Sequence, residues 1–309
     1  MGVFMPGGNT LPLEHFVYYS LYLILFEIMT QTSSLLKDDF EPAPKSLEPT
    51  VFWRIGEDIP DRLNWVLIIA SVVVPLTVWW ILSNYTGVNP KFLPSPQDVA
   101  GAFQRLWEKG FITQDIFASF GRVAIGFSLA AIVAIPLGIS MGAFASIRAM
   151  MEPIIGILRY MPAPAFIPLL IIYLGLNEEP KIALIFIGTV FYNTLMIMDA
   201  VKFVPKDLIE TTYTLGGRRW QVLMSVITPY IVPSIIDTLR INVAASWNLV
   251  VIAELVAAEE GLGKRILLAQ RFFKTDEIFA CLIMLGVIGF ALDLIFRWVL
   301  KTSCKWAFD

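Results

Sequence analysis

Residues 210–229 read Glu-Thr-Thr-Tyr-Thr-Leu-Gly-Gly-Arg-Arg-Trp-Gln-Val-Leu-Met-Ser-Val-Ile-Thr-Pro, a charged stretch between two long apolar segments. A helix is predicted to begin just before it, because Pro205 suits the first position of a helix. Gly216 and Gly217 allow the left-handed conformation that ends a helix, and helical character resumes over 218–225. The stretch therefore predicts two short helices set at an angle.

Three apolar side chains, Leu208, Ile209 and Leu215, are available within this charged segment. A short helix that presents apolar side chains in a charged rim is a common ligand for a groove on a partner. Alone, such a helix is marginally stable, so the rest of the protein or a partner must hold it. From the residues alone, two interpretations remain open: a docking element, or a helical loop that caps a membrane bundle.

The composition is that of a membrane protein. Of the 309 residues, 57% are hydrophobic and 16% are charged, whereas a soluble domain has about 25% charged residues. Mean hydropathy is +0.69. The net charge of −3 does not favour nucleic-acid binding, and Cys281 and Cys304 do not indicate a disulfide framework.

The apolar residues form blocks, and a membrane-spanning helix needs about 20 of them. The third block contains Pro162, Pro164 and Pro168, so we expect that span to be kinked or partly unwound. We predict an all-α protein with about six transmembrane helices, at about 64–83, 120–144, 154–174, 182–201, 231–258 and 278–300.

Two segments outside the spans have a predicted structure. Within an N-terminal extension, 1–62, the apolar run 16–26 is too short to span and predicts an interfacial helix, and the proline-rich 38–49 predicts a linker. The first basic residue is Lys37, so a signal peptide is not expected. Ser95-Pro96 is a good helix start, and the amphipathic residues that follow predict a short surface helix opposite the 205–229 loop.

No catalytic or metal-binding constellation is recognisable. The single histidine, His15, has no ligand-type neighbours at useful spacing. The run 261–264, Gly-Leu-Gly-Lys, lacks the preceding glycine and the following hydroxyl of a phosphate-binding loop. We therefore expect no cofactor on this chain, no enzymatic activity, and an energy source on another subunit.

The 210–229 stretch resembles the EAA loop of ABC-importer permeases, in which a Glu, two small residues, a Gly and a later Pro recur at fixed spacing. The matching positions are Glu210, Thr211, Thr212, Gly216, Val226 and Pro229. The chain departs from the pattern at Thr211 and Thr212, where the family has alanines, and at Thr228, where leucine is usual.

This resemblance implies the type I ABC-importer permease fold over 63–309, with a cytoplasmic coupling loop at about 205–229. In the family this loop inserts into the ATP-binding subunit. The residues that the resemblance assigns to coupling are Glu210, Thr211, Thr212, Leu215, Gly216, Gly217 and Arg218.

Motifs far from the loop are similar to one permease subgroup, which imports nitrate, bicarbonate, sulfonates such as taurine, and related small molecules. They lie at 93–96, 122–127, 158–165, 167–169, 239–247, 253–257 and 261–263. The N-terminal extension is similar to the cyanobacterial nitrate and bicarbonate branch. The resemblance therefore favours nitrate or nitrite as the cargo, with bicarbonate or a sulfonate as the alternatives.

The subgroup also implies the partners and the location. We expect a homodimer in the bacterial plasma membrane, two ATP-binding subunits that hold ATP and Mg²⁺, and an external substrate-binding protein. Four spans before the loop place the N-terminus on the loop's side, the cytoplasm; the distribution of Lys and Arg supports this only slightly. A secondary transporter driven by an ion gradient is the alternative from another class, although no repeated halves are apparent.

Polar residues inside the spans are candidates for the translocation pathway, because such residues are costly there. Amide and hydroxyl donors can bind an anion without trapping it, whereas an arginine binds it more strongly. The alternative is that the charges pair with one another and with Asp199 and Asp237, that the asparagines join helices, and that the tryptophan packs. The candidates are Arg159, Asn193, Arg240, Asn242, Ser246, Trp247, Asn248 and Glu254.

Overall fold

The computed structural model describes residues 58–307, and every regular element in that part of the chain is helical. The prediction of an all-α protein is confirmed. The helices are α1 Asp61–Tyr85, α2 Pro96–Glu108, α3 Phe111–Ala143, α4 Ala145–Leu158, α5 Ile167–Leu174, α6 Glu179–Lys202, α7 Lys206–Thr214, α8 Arg219–Gln221, α9 Thr228–Ala257, α10 Leu262–Arg271 and α11 Thr275–Ser303, with 3-10 turns at Ala163–Phe166 and Lys305–Ala307.

Contacts divide the chain into two units, Met1–Val72 and Val73–Asp309. The described part of the first unit, 58–72, consists mainly of the first turns of α1. The interfacial helix expected at 16–26 and the linker expected at 38–49 lie outside the described residues. The boundary expected at residue 62 stays a prediction.

Five helices of the described chain are long and apolar enough to cross a membrane: α1, α3, α6, α11 and the continuous stretch Arg219–Val256. The pair α4 and α5 makes a sixth if it counts as one span. The expected number of about six is therefore confirmed. The second span begins at Phe111 rather than about 120, because a first stretch that contains Thr113 and Asp115 is polar in sequence yet helical in the structure.

The third span is broken, as its prolines predicted. Helix α4 ends at Leu158, a 3-10 turn covers Ala163–Phe166, and α5 then runs at 83° to α4. A proline lacks the backbone N–H that continues a helix. It fits without disruption only in the first turn, and further along it kinks or breaks the helix. The span starts at Ala145 rather than about 154.

Helices α3 and α6 form the centre of the bundle and run parallel. A Cβ on Gly126 would lie 2.8 Å from the Ile182 carbonyl oxygen, and one on Gly138 would lie 2.7 Å from that of Thr194. Glycines allow this close approach between membrane helices. Because the two helices are parallel, residues 144–178 must lead the chain from the end of α3 back to the opposite end of the bundle, where α6 begins. Helices α4 and α5 together therefore form one crossing of the bundle.

The bundle thus has an α7 end, where α6 finishes, and a far end, where α3 and α6 begin. Helix α2 lies at the far end, as expected, and the Ser95 hydroxyl and the Asp98 carboxylate form a capping box at its start. It is less superficial than predicted, since Val99 and Ala102 are buried with Ala280 of α11.

A π-helical turn, Val222–Ile227, joins α8 to α9. Pro229 follows at the second position of α9 and cannot donate a backbone hydrogen bond. The Thr228 hydroxyl donates to the Leu223 carbonyl at 2.8 Å, which fits the wider turn. Val222 and Ile227 are buried in the core cluster beneath α7, so this turn anchors the charged stretch to the bundle.

Candidate functional site

A cavity of about 620 Å³ opens where the third span is broken. It lies between the break, α6 and α9, so three separate parts of the chain form its wall. Its lining consists of residues 158–164, Ile187, Gly188, Phe191, Tyr192, Asn242, Ala245, Asn248 and Leu249.

Arg159 is the only charged side chain among these lining residues. Its Nη2 donates to the Tyr160 hydroxyl at 3.0 Å, and the guanidinium lies 4.8 Å from the centre of the Tyr160 ring. The Tyr192 hydroxyl donates to the Arg159 carbonyl oxygen at 3.0 Å and so fixes the end of α4. Within residues 58–307, Arg159 forms no ion pair with a carboxylate.

Two asparagines meet behind the cavity wall. The Asn242 amide donates to Asn193 Oδ1 at 2.8 Å, and Asn193 is fully buried. In the described part of the chain, the buried side-chain polar atoms without a hydrogen-bond partner are Arg159 Nε and Asn193 Nδ2. Both are donors, and buried donors are normally satisfied. Of the two residues only Arg159 lines the cavity, and its unpaired donor suits an acceptor-rich ligand there.

The structure therefore brings together Arg159, Asn242 and Asn248 at the cavity, with Asn193 one hydrogen bond behind them. The other candidates lie elsewhere. The Ser246 hydroxyl donates to the Asn242 carbonyl at 3.2 Å, and Trp247 Nε1 donates to the Leu285 carbonyl at 3.0 Å. Both side chains are buried between helices.

Arg240 is held by two carboxylates, as the pairing alternative describes. Its guanidinium is 2.8 Å from Asp237 and 3.1 Å from Asp293, which also pairs with Arg297 at 2.7 Å. These contacts join α9 to α11. Arg240 is not among the residues that line the cavity.

Glu254 lies in a buried cluster at the far end of the bundle. It is 0% exposed, and its Oε1 accepts from Arg122 at 2.6 Å and from the Ser119 hydroxyl at 2.7 Å. Its Oε2 accepts from the Gly263 amide at 2.8 Å. Glu254 is thus fully paired and outside the cavity.

Arg122 is the central residue of this cluster. It is not among the pathway candidates that were predicted from the sequence. Its side chain also reaches Glu178, with Nη2 to Oε1 at 2.9 Å, and the Glu260 carbonyl at 2.7 Å. The hydrogen bond from Arg122 lowers the pKa of Glu178 to about 2. Its position as an ionisable residue within the second span was a usable signal.

The charged stretch forms the predicted pair of short helices. Pro205 lies just before α7 rather than at its first position. Gly216 has φ +82°, and the amides of Gly216 and Gly217 donate to the carbonyls of Tyr213 and Thr212, each at 2.9 Å. The left-handed stop predicted at the two glycines is present at Gly216.

One face of α7 is free within the described chain. Leu215 is 83% exposed, and Glu210 and Arg218 are exposed beside it. Ile209, expected as a further exposed anchor, instead packs against the core cluster. The reason is helical spacing, which turns Ile209 toward the bundle while Leu215 projects from the end of the helix.

A broken span beside a cavity and a short exposed helix at one end are features of transporter subunits. Residues 134–302 match the family described as the binding-protein-dependent transport system inner membrane component. The chain belongs to this family of ABC permeases. It is a multi-pass protein of the inner membrane.

Relatives cover most of the permease. The taurine transport system permease protein TauC of Escherichia coli is 33% identical over 79% of this chain and 94% of its own length. The nitrate import permease protein NrtB of Synechocystis is 33% identical over 72% of this chain and 83% of its own length. A putative ABC transporter permease of Methanocaldococcus jannaschii is 35% identical over 78% of this chain and 92% of its own length.

The fold agrees with solved ABC importers. An inward-facing structure of the MetNI methionine ABC transporter aligns with a TM-score of 0.57 over 63% of the permease and 97% of that chain, at 15% identity. The predicted type I permease fold is confirmed.

Proposed function

We propose that this permease forms the transmembrane path of an ATP-driven importer of nitrate or nitrite. The observation that carries the proposal is the cavity at the broken span, whose one charged side chain is Arg159. Among residues 58–307, no Asp or Glu lines this cavity, so its electrostatic preference is for an anion.

The donors of the cavity suit a small oxyanion. Nitrate presents three oxygens in a plane, and a guanidinium offers N–H donors in a plane. In the described part of the chain Arg159 Nε has no partner and can donate to such a ligand, and the Asn248 amide, which also lines the cavity, can donate to a further oxygen. Arg159 supplies one strong, charge-assisted contact that captures the anion, and the other polar donors of the described lining are neutral, so that the anion can still be released.

The α7 face supports the coupling half of the proposal. The permease acts as a homodimer, and the Leu215 tip of α7 docks on an ATP-binding subunit through Glu210, Thr211, Thr212, Gly216, Gly217 and Arg218. Two such subunits hold ATP and Mg²⁺ and supply the energy of hydrolysis. The α7 end and the N-terminus face the cytoplasm, and a substrate-binding protein delivers the anion at the far end.

A sulfonate is the second candidate cargo, since the taurine permease of E. coli is as similar as the nitrate permease of Synechocystis. Taurine carries an ammonium group as well as a sulfonate. The part of the lining that the structure describes offers no carboxylate for that ammonium. The charge balance of the cavity therefore favours nitrate over taurine.

The test is uptake in cells that lack their own nitrate, taurine and bicarbonate importers and carry the complete transporter. Isotopically labelled nitrate, taurine and bicarbonate are offered separately. We expect the cells to accumulate nitrate. We expect this uptake to disappear when the ATP-binding subunit is inactivated. Uptake that a protonophore abolishes while loss of the ATPase does not would instead indicate a secondary transporter.

A further inference from the structure

The buried cluster at the far end joins the two helices that line the cavity. Arg122 of α3 holds Glu254, near the end of α9, through Nη1 at 2.6 Å. It holds Glu178, at the start of α6, through Nε and Nη2. The guanidinium is 5% exposed, so water does not compete for these bonds as it does on a surface.

Further bonds tie the connection between α9 and α10 to the same point. The Asp115 carboxylate of α3 accepts from the Gly261 amide at 2.9 Å and from Arg265 at 2.7 Å. The Ser119 hydroxyl accepts from the Leu262 amide at 3.0 Å. Arg122 also donates to the Glu260 carbonyl in this connection. Asp115, Ser119 and Arg122, on consecutive turns of α3, thus hold the connection in place.

The cluster lies beyond the cavity along both helices. Helix α6 contributes Ile187 and Tyr192 to the cavity and starts beside Glu178 at the far end. Helix α9 contributes Asn248 and Leu249, and Glu254 follows in the next turns toward the far end. At the other end, α6 continues directly into α7.

We propose that Arg122 is a positioning residue for transport, which makes α6 and α9 move as one body when α7 is displaced. This inference rests on the proposed transport function. Displacement of α7 pushes α6, and the Arg122 bridge carries the movement across to α9, so that both walls of the cavity shift together. Without the bridge, α6 and α9 stay joined by the Asn193–Asn242 hydrogen bond near the cavity but not at the far end. Their far ends then no longer shift together, and less anion is transported per ATP hydrolysed.

The test compares Arg122→Lys with Arg105→Lys in the complete transporter reconstituted in vesicles. A lysine keeps the positive charge beside Glu254, but its single ammonium cannot span to Glu178 as the guanidinium fork does. Arg105 is the matched control, because it also forms a far-end ion pair, with Asp276 at 2.5 Å, but joins α2 to α11, neither of which lines the cavity.

The readout is labelled nitrate transported per ATP hydrolysed. We expect Arg122→Lys to keep its ATPase activity and to lose at least about fivefold in this ratio, a typical size for coupling between sites. Arg105→Lys is expected to keep the wild-type ratio. A merely structural role for Arg122 would lower the amount of assembled complex without changing the ratio.

Glu178→Gln is the second variant. If Arg122→Lys does not assemble, Glu178→Gln alone tests whether the Arg122 bridge is needed for coupling. Glu178 is 53% exposed, so its loss leaves the buried Arg122–Glu254 pair intact. We expect a smaller fall in the ratio. A wild-type ratio in Glu178→Gln and in any assembled Arg122→Lys, or an equal fall in Arg105→Lys, would overturn the inference. Absence of nitrate uptake by the wild-type complex would instead overturn the proposed function.

Discussion

At the scale of the residue, Arg159 distinguishes this cavity from a neutral gap between helices. Replacement by glutamine removes the only charge that the described residues contribute to the lining. Because a hydrogen bond to a charged group contributes about 1.5–3 kcal/mol, we expect Arg159→Gln to raise the nitrate concentration for half-maximal uptake about tenfold or more. Arg297→Gln, a change at a 63% exposed side chain outside the cavity, is the control. Equal effects of the two changes would argue against an anion site.

Gly261 is required by the cluster around Glu254. Its φ is +130°, and a Cβ there would lie 2.6 Å from Glu254 Oε2. We expect Gly261→Ala to destabilise the permease by about 1–3 kcal/mol, because a strained backbone and a crowded carboxylate both oppose it. Gly286→Ala in α11 is the control, since a Cβ there meets nothing within 4 Å. Thermal unfolding of the purified proteins measures both, and equal melting temperatures would refute the prediction.

Glu178 provides a pH signature for the same cluster. Its pKa is lowered from 4.5 to about 2 by the hydrogen bond from Arg122. A lowered pKa in the folded state stabilises the fold above the unfolded pKa, and this contribution is lost as pH falls through the folded value. We expect the loss of thermal stability in Glu178→Gln to be constant from pH 8 to about pH 5 and to vanish toward pH 2. A loss that disappears already near pH 6 would contradict the bond.

At the scale of the element, α7 combines a buried base with an exposed tip. Ile209 packs on the core, whereas Leu215 is 83% exposed. We expect Leu215→Ser to reduce co-purification with the ATP-binding subunit without lowering the melting temperature of the isolated permease. Phe203→Ser is the control, because Phe203 is 82% exposed but precedes the helix. Normal co-purification of Leu215→Ser would show that α7 does not dock through its tip.

Glu210 extends that test from binding to coupling. We expect Glu210→Lys to uncouple ATP hydrolysis from uptake, since the change reverses the charge of an exposed residue on α7. The measurement is ATPase activity stimulated by the loaded binding protein, together with uptake, in purified complexes. Wild-type values for both would remove the coupling role from Glu210.

Local patterns made some elements predictable from the sequence. Pro162, Pro164 and Pro168 signalled the broken span, and Gly216 signalled the end of α7. An ion pair between residues that are distant in the sequence could not be predicted from local patterns. Arg122 and Glu254 are 132 positions apart. Each looked like an isolated charge in an apolar segment. The charges of Arg122 and Glu254 neutralise each other only because α3 and α9 pack together in the folded bundle.

For the pathway candidates, residue types could be predicted from the sequence, but the directions in which their side chains face could not. Arg159 and Arg240 were equivalent as arginines in apolar segments. In the structure, Arg240 is neutralised by Asp237 and Asp293, whereas Arg159 lines a cavity to which the described residues contribute no carboxylate. That difference depends on three-dimensional placement, so it could not be read from composition or periodicity.

At the scale of the whole molecule, the proposed function requires the α7 end to face the cytoplasm and the far end to face outward. Cysteine labelling tests this directly, because the natural Cys281 and Cys304 are buried. We expect Phe92→Cys, at a 73% exposed position between α1 and α2, to react with an impermeant reagent in intact cells. Leu215→Cys is expected to react only after the membrane is opened. The reverse pattern would invert the topology.

The central claim is that this chain is the anion path of an ATP-driven importer. The most direct measurement is uptake of labelled nitrate into vesicles that contain the permease, its ATP-binding subunit and the binding protein, with and without ATP on the α7 side. We expect nitrate to accumulate only when ATP is present, and we expect Arg159→Gln to reduce this accumulation strongly. Nitrate uptake that is independent of ATP, or exclusion of nitrate while another solute is accumulated, would contradict it.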